Sequence, residues 1–224
     1  MSEGKTTSIE SFSEFHKFIE SFGKKAVVFR GLRKESYPLV PKVGRYEEFT
    51  VDDVEKQERD MLRLFKQFAV PFLTNAPKNN WEWMAVAQHH GLPTRLMDWT
   101  HNPLVAAYFA VEKKYDGDSV VYAYAHSKFI DTVKNPNPFT VDHIARFIPD
   151  HITPRITAQA GLFTVHPNPK TPFVSPMISK LIIKKQFRKD LKYILYKYGI
   201  HRATMFPGLD GLANHITWRK TKEY

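Results

Sequence analysis

Gln88-His89-His90-Gly91-Leu92-Pro93-Thr94-Arg95-Leu96-Met97-Asp98-Trp99-Thr100, running on into His101-Asn102-Pro103, is the stretch on which the reading of the fold turns. A helix capped by Asn80 enters it and should stop at His90, because Gly91 offers the left-handed residue that ends helices and Pro93 prevents their return. Asn102-Pro103 predicts the next helix over 103–114, with Asn as N-cap and Pro at the first helical position. Leu104, Ala107, Tyr108 and Val111 would share one of its faces. Residues 94–99 between the two helices read as extended or irregular. This connector is crowded with Gln, His, Arg, Asp and Thr, and two readings stay open. Asp98 and Thr100 lie close to a helix N-terminus, whose free N–H groups and positive dipole end favour an anion. Equally, Arg95 would pair with Asp98 and His89 would donate to a backbone carbonyl, in a network that only fixes the fold.

Upstream, Phe12, Phe15, Ile19 and Phe22 recur at helical spacing, with Ser11 and Glu14 forming a capping box and Gly23 as the stop. Ala26-Val27-Val28-Phe29 predicts a short buried strand, and Arg30-Gly31 follows it directly. An arginine at a strand end can hold a phosphate or carboxylate bidentately, and Gly31 would let a ligand approach the backbone. The alternative is a buried Arg30 paired with Glu55 or Glu58. Those acids lie on a helix predicted from Thr50-Asp53 to about Ala69, with an apolar stripe of Val54, Met61, Leu62, Leu64, Phe65 and Phe68.

Downstream, Ser119–Ala125 and Leu181–Phe187 predict strands, Lys189–Tyr198 a helix, and Pro207 to Thr217 a last short helix. Arg155 to His166 is a third polar segment, with a strand expected inside 156–165. Arg155, Thr157, Gln159 and Gly161 would then share one face, either lining a pocket with Arg30 or facing solvent at a sheet edge.

The 224 residues carry 42% hydrophobic and 14% aromatic side chains, which indicates a packed globule. Cysteine is absent, which excludes disulfides, thiolate metal sites and a cysteine nucleophile. With no apolar leader and no membrane-length apolar run, a cytoplasmic protein is expected. The net charge of +10 is uneven: residues 179–224 hold eleven Lys/Arg against three Asp/Glu, or +8, leaving +2 elsewhere. Such a basic third is either a solvated helix face or a surface for nucleic acid or an acidic protein. Its aromatic residues are not interleaved in a recognisable stacking module, so sequence-specific RNA reading is not expected. No HExxH, P-loop, GxGxxG or GxSxG occurs, and no metal site is expected. The fold class is α+β: one domain over 1–224, with small central sheets and surrounding helices. A motif core covers about 26–125, and a basic extension about 179–224.

Val28-Phe29-Arg30-Gly31, the 88–100 stretch and Ala106-Ala107-Tyr108-Phe109-Ala110 together resemble the FRG domain, named for its Phe-Arg-Gly motif. The order and spacing agree over roughly residues 26–125. Ala158 to Phe163, Tyr198-Gly199-Ile200 and Phe206 to Gly211 resemble the family's C-terminal part. His90 stands where members often have an aromatic residue. The resemblance implies a setting in phage or phage-defence biology, without a chemistry.

A more distant resemblance, to ADP-ribosyltransferases of the Arg-Ser-Glu type, implies more. Arg30 would hold the pyrophosphate or ribose of NAD, and Thr100 would support the nicotinamide side. Gly31, Gln88, His89, Thr94 and Arg95 would complete the cofactor site. Arg30, Asp98 and Gln159 would be the catalytic set. Gln159 takes the place of a glutamate, and a neutral amide accepts a ribose hydroxyl but hardly stabilises an oxocarbenium charge. A carboxylate such as Asp98 or Glu58 would then substitute. The implied activity is ADP-ribosyl transfer or NAD hydrolysis, or binding alone in a degenerate relative. The alternatives are a non-enzymatic binding module working through residues 179–224, and a structural or inhibitory protein.

Overall fold

Strand β2 (Val28–Leu32) pairs along its whole length with β4 (Ser119–Tyr124), antiparallel, from Val28↔Tyr124 to Leu32↔Val120. These two strands form the middle of a seven-stranded sheet of order β1-β7-β4-β2-β3-β6-β5. The others are β1 (Thr6–Ile9), β3 (Leu96–Thr100), β5 (Ala145–Phe147), β6 (Gly161–Val165) and β7 (Ile178–Ile183). Every pairing is antiparallel except β1 with β7. The computed structural model describes residues 4–73, 75–126, 128–149 and 157–221. Among them are seven α-helices: α1 (Phe12–Glu20), α2 (Val54–Ala69), α3 (Asn80–His89), α4 (Pro103–Val111), α5 (Arg188–Lys197), α6 (Arg202–Met205) and α7 (Leu209–Thr221). The α+β, single-domain expectation holds, and the strands join in one sheet.

The register assigns each residue to a face. Phe29, Val121, Ala123, Leu181 and Ile183 point to one side, where α1, α4 and α5 add Phe15, Ala106, Ala110, Leu191 and Leu195. Farther along the same side, Leu96, Phe163 and Val165 pack against Trp81, Met84 and Ala87 of α3 and Leu62 of α2. The opposite side is covered by loops, which bring Leu39 and Phe173 onto Val28, Met97, Trp99, Tyr122 and Ile182.

The local signals behave as their chemistry predicts. Ser11 Oγ accepts the Glu14 N–H at 3.3 Å while Glu14 Oε2 accepts the Ser11 N–H at 3.0 Å, closing the capping box. Gly91 has φ of +94°, and α3 ends before it. The N-cap of α3 is Asn79, one residue earlier than expected.

Three expectations are corrected. Arg30 is the third residue of five in β2, not the residue beyond its end. The stripe on α2 is only partly inside: Val54 and Leu62 are buried, Met61 and Phe65 half-buried, and Leu64 and Phe68 exposed, Phe68 at 70%. The buried face runs instead through Val54, Glu58, Leu62 and Ala69, because Glu58 docks the helix on Arg95. The strand expected within 156–165 begins only at Gly161; Thr157 and Ala158 are helical, and Gln159 and Ala160 form a turn. Arg155 and Ile156 lie outside the described residues.

Gly31 has a structural reason. A β-carbon there would stand 1.8 Å from the Ala106 carbonyl oxygen and 2.7 Å from the Ala110 nitrogen. The glycine admits the backbone of α4, and Ala106 and Ala110, both fully buried, keep that helix low on the sheet. Backbone atoms cannot rotate out of the way. Gly31→Ala is therefore expected to cost at least the ~1–3 kcal/mol typical of overpacking, read as a lowered urea midpoint or as failure to fold.

Candidate functional site

Strands β2 and β3 share one register pair, Phe29↔Thr100, and then diverge. The gap beyond that pair is where the Arg30 side chain goes. Its Nη1 donates to the Asp98 carbonyl at 2.5 Å and lies 3.5 Å from Asp98 Oδ2. A guanidinium thus takes the place of the missing strand neighbour and meets the carboxylate of the same residue. The Arg30 side chain is only 14% exposed. Burial pulls its pKa below the usual arginine value, the Asp98 charge opposes this, and Arg45 nearby adds to it. Arg30 Nε is buried with no partner among the described residues.

Asp98 is also held from the other side by a directed chain. The Leu96 N–H donates to Thr94 Oγ1 at 3.1 Å, and the Thr94 hydroxyl donates to Gln88 Oε1 at 2.8 Å. Gln88 Nε2 then donates to Asp98 Oδ2 at 3.1 Å. An ionised carboxylate only accepts, so this chain sets which way the Gln88 amide faces. Asp98 remains 59% exposed, on the helical side of the sheet between the α3 and α4 packing clusters.

The charge partners differ from those expected. Arg95 pairs not with Asp98 but with Glu58, whose Oε2 accepts from Nε at 2.9 Å and whose Oε1 accepts the Arg95 N–H at 2.6 Å. Glu55 adds a contact to Arg95 Nη2 at 3.1 Å, and Phe139 lies over the guanidinium at 4.4 Å. Arg95 and Glu58 are both buried, so they hold α2 onto β3 and line no cleft. Glu58 is thereby unavailable as a substitute carboxylate.

The start of α4 is also already satisfied. Asn102 Oδ1 accepts the Leu104 N–H at 2.9 Å, Thr100 Oγ1 accepts the Asn102 N–H at 3.0 Å, and the His101 N–H donates to the Ala160 carbonyl at 3.0 Å. The Thr100 hydroxyl donates to the Gln159 carbonyl at 2.6 Å. These bonds consume the anion site expected there. They also explain why the 157–160 turn sits where it does, with Ala160 in the left-handed region at φ +45°. Gln159 Nε2 donates to the Met205 carbonyl at 3.0 Å, which ties the turn to α6.

A small cleft of about 60 Å³ lies beside this network. Gln88, His89, Asp98 and Gln159 line it, together with Trp99 and Gly161 to Phe163. Asp98 is its one carboxylate among the described residues. Of the expected site residues, the structure therefore brings Gln88, His89, Asp98 and Gln159 to one opening, with Arg30 bonded to Asp98 and Thr94 bonded to Gln88. Gly31, Arg95 and Thr100 serve packing, an ion pair and a turn. The β6 wall was legible only as alternation, and its register with β3 supplies the rest.

On the far side of the sheet, Trp99 Nε1 donates to Thr164 Oγ1 at 2.9 Å, so the Thr164 proton is free to go to His166 Nε2, 2.8 Å away. His166 is buried, and burial, with Arg30 adding to it, pushes its pKa from 6.5 down to about 3. The unfolded chain takes up this proton near pH 6.5 and the folded chain only near 3, so stability is lost as pH falls through that window. Between pH 7 and 5 the loss is expected to be about 2 kcal/mol. Urea melts of wild type and His166→Gln test this: the substitution should flatten that part of the pH dependence.

The FRG domain family model matches residues 25–119, which run from just before β2 to the first residue of β4 and include Arg30, Gly31, Gln88, Thr94, Asp98 and Ala106. No curated protein matched, and no solved structure matched. The network that orders Asp98 and the α4 contact at Gly31 are both internal to the matched segment: this chain carries an FRG domain across residues 25–119.

Proposed function

We propose that the Asp98 cleft binds the ribose of a nucleotide, with NAD or a related ADP-ribosyl compound as its class of ligand. The observation that carries this is an exposed carboxylate held from two sides by buried or oriented donors. Arg30 and Gln88 both engage Oδ2, while Oδ1 faces no protein donor among the described residues. A carboxylate fixed in this way is suited to accept a sugar hydroxyl, as acidic residues do in dinucleotide sites. The cleft has room for about two water-sized groups, at roughly 30 Å³ each, so a sugar edge would enter and the rest of the ligand would lie across the mouth over Gln88 and His89.

Chemistry would fall to the same residue. Gln159 is a neutral amide committed to Met205, so Asp98 is the group able to stabilise positive charge developing on a ribose. Transfer or hydrolysis would follow from binding and is measured separately, as nicotinamide release.

Titration calorimetry with NAD and with ADP-ribose tests the reading. Asp98→Asn should weaken binding about tenfold or more, since hydrogen bonds to charged groups contribute about 1.5–3 kcal/mol. Asp98→Asn also removes the counter-charge of the largely buried Arg30, so some loss of melting temperature is expected, and binding is compared at a temperature where both proteins are folded. No heat with either ligand at millimolar concentration, or equal binding by wild type and Asp98→Asn, would overturn it.

A further inference from the structure

The excess of basic residues after Ser179 is not a uniform stripe. Arg188 is buried and donates to the Tyr115, Ala110 and Lys113 carbonyls beyond and at the end of α4. Lys184 pairs with Asp118, Lys185 with Asp116 and Arg202 with Glu112. Lys222 lies outside the described residues. Much of the positive charge is thus absorbed in holding α4 and α5 together. Of the rest, Lys189, Lys192 and Arg219 line two adjoining cavities between the end of α4, α5, the 200–202 bend and α7, where Glu112 and Asp190 are the carboxylates.

The cavities measure about 290 Å³ and about 460 Å³, in the range of ordinary small-molecule pockets. Lys192, Tyr196 and Trp218 line both and form the wall between them. The Tyr196 and Trp218 rings meet edge to face at 5.5 Å. Lys192 Nζ sits 5.3 Å from the Trp218 ring centre, and the Arg219 guanidinium 5.9 Å from that of Tyr196. Burial lowers the Lys192 ammonium to a pKa of about 8, with Glu112 opposing and Arg188 adding, so it stays mostly charged at neutral pH.

Inside the smaller cavity, the His201 and His215 rings stack at 3.9 Å and 13°. Burial lowers both pKa values, and both rings are accordingly neutral near pH 7. Their Nδ1 atoms are buried with no hydrogen-bond partner among the described residues. His215 is only 7% exposed. Buried polar atoms are nearly always paired, so two adjacent unpaired ones in a cavity wall point to a polar ligand edge.

Flat aromatic walls, cations at the rim and unpaired ring nitrogens inside match a nucleotide, with its base against Tyr196 and Trp218 and its phosphate near Lys192 and Arg219. We propose that this double cavity binds nucleotide units, and that its paired form, with a shared aromatic wall, takes two successive units of a single-stranded nucleic acid. The interaction is stacking plus phosphate neutralisation, which tolerates any sequence. It is independent of the Asp98 cleft, which shares no lining residue with it.

The experiment measures fluorescence anisotropy of a labelled oligo(dT) and an oligo(U) with the full chain at low and moderate salt, with adenosine monophosphate as competitor. Binding should weaken as salt rises, because phosphate contacts release counterions. Trp218→Ala should weaken it about tenfold or more, the scale of losing one stacked base. Should Trp218→Ala fail to fold by circular dichroism, Arg219→Ala, on the exposed face of α7, serves instead and should also reduce the salt slope. Competition by the mononucleotide at concentrations near those of the strand would place the ligand as a free nucleotide; strand binding with weak competition places it in a strand. Absence of binding by all three probes, binding equal in wild type and the folded variants, or retention only of an acidic peptide such as poly-Glu would overturn the proposal.

Discussion

The carbonyl of Ala106 occupies the space that a β-carbon at position 31 would need, and much of the molecule follows from that close approach. It sets α4 directly on β2, so the ends of that helix become fixed points. At one end, Asn102 and Thr100 organise the turn that carries Gln159 to the Asp98 cleft. At the other, Glu112 and the last carbonyls receive Arg188, Lys192 and Arg202, which brings α5 and α6 into place and opens the aromatic cavities. The two candidate sites are therefore built on opposite ends of one helix. The Phe-Arg-Gly triplet and the alanine-rich helix are two sides of a single contact.

Four buried arginines show how differently one side chain can be accommodated. Arg95 is neutralised by carboxylates. Arg146 donates to the Tyr124 and Ala26 carbonyls, and Arg188 to carbonyls at the end of α4. Arg30 is intermediate, meeting both the carbonyl and the carboxylate of Asp98. A rigid five-donor fork that stays charged suits all of these settings, whereas a lysine would leave several acceptors unpaired. Two of the carboxylates they meet stay exposed, Glu55 at 44% and Asp98 at 59%, and Asp98 lines the small cleft.

Much of this was legible in residue order. The Asn102-Pro103 start, the Gly91 stop and the Ser11/Glu14 box depend on neighbours within a few positions, and they stand where chemistry places them. The glycine at 31 was readable as a close approach, but not as an approach by α4, because the Ala106 carbonyl reaches it only through the tertiary fold. The exchange of partners, Arg95 with Glu58 and Arg30 with Asp98, has the same origin: charge type is local, while distance is not. Alternation alone places Gln159 on a strand. Its backbone instead closes a turn against Thr100, a bond between residues 59 apart. The paired cavities were hidden for a related reason, since Tyr196, His201, His215 and Trp218 are distributed over two helices and a bend.

The parallel pairing of β1 with β7 bears on the order in which the chain can assemble. The Lys5 N–H bonds to Ser179 Oγ across 174 residues, and Thr6 to Ile9 register against Lys180 to Ile183. Strand β1 thus has its partner some 174 residues further along the chain. Helix α1 shares that separation, because Phe12 stacks on Tyr198 at 5.4 Å. Closing so long a loop is entropically costly before any contact compensates it. The central β2–β4 pair, with α4 already across it, is free to form during synthesis. Residues 6–20 can dock on the β7 edge of the sheet only once β7 and Tyr198 have been made.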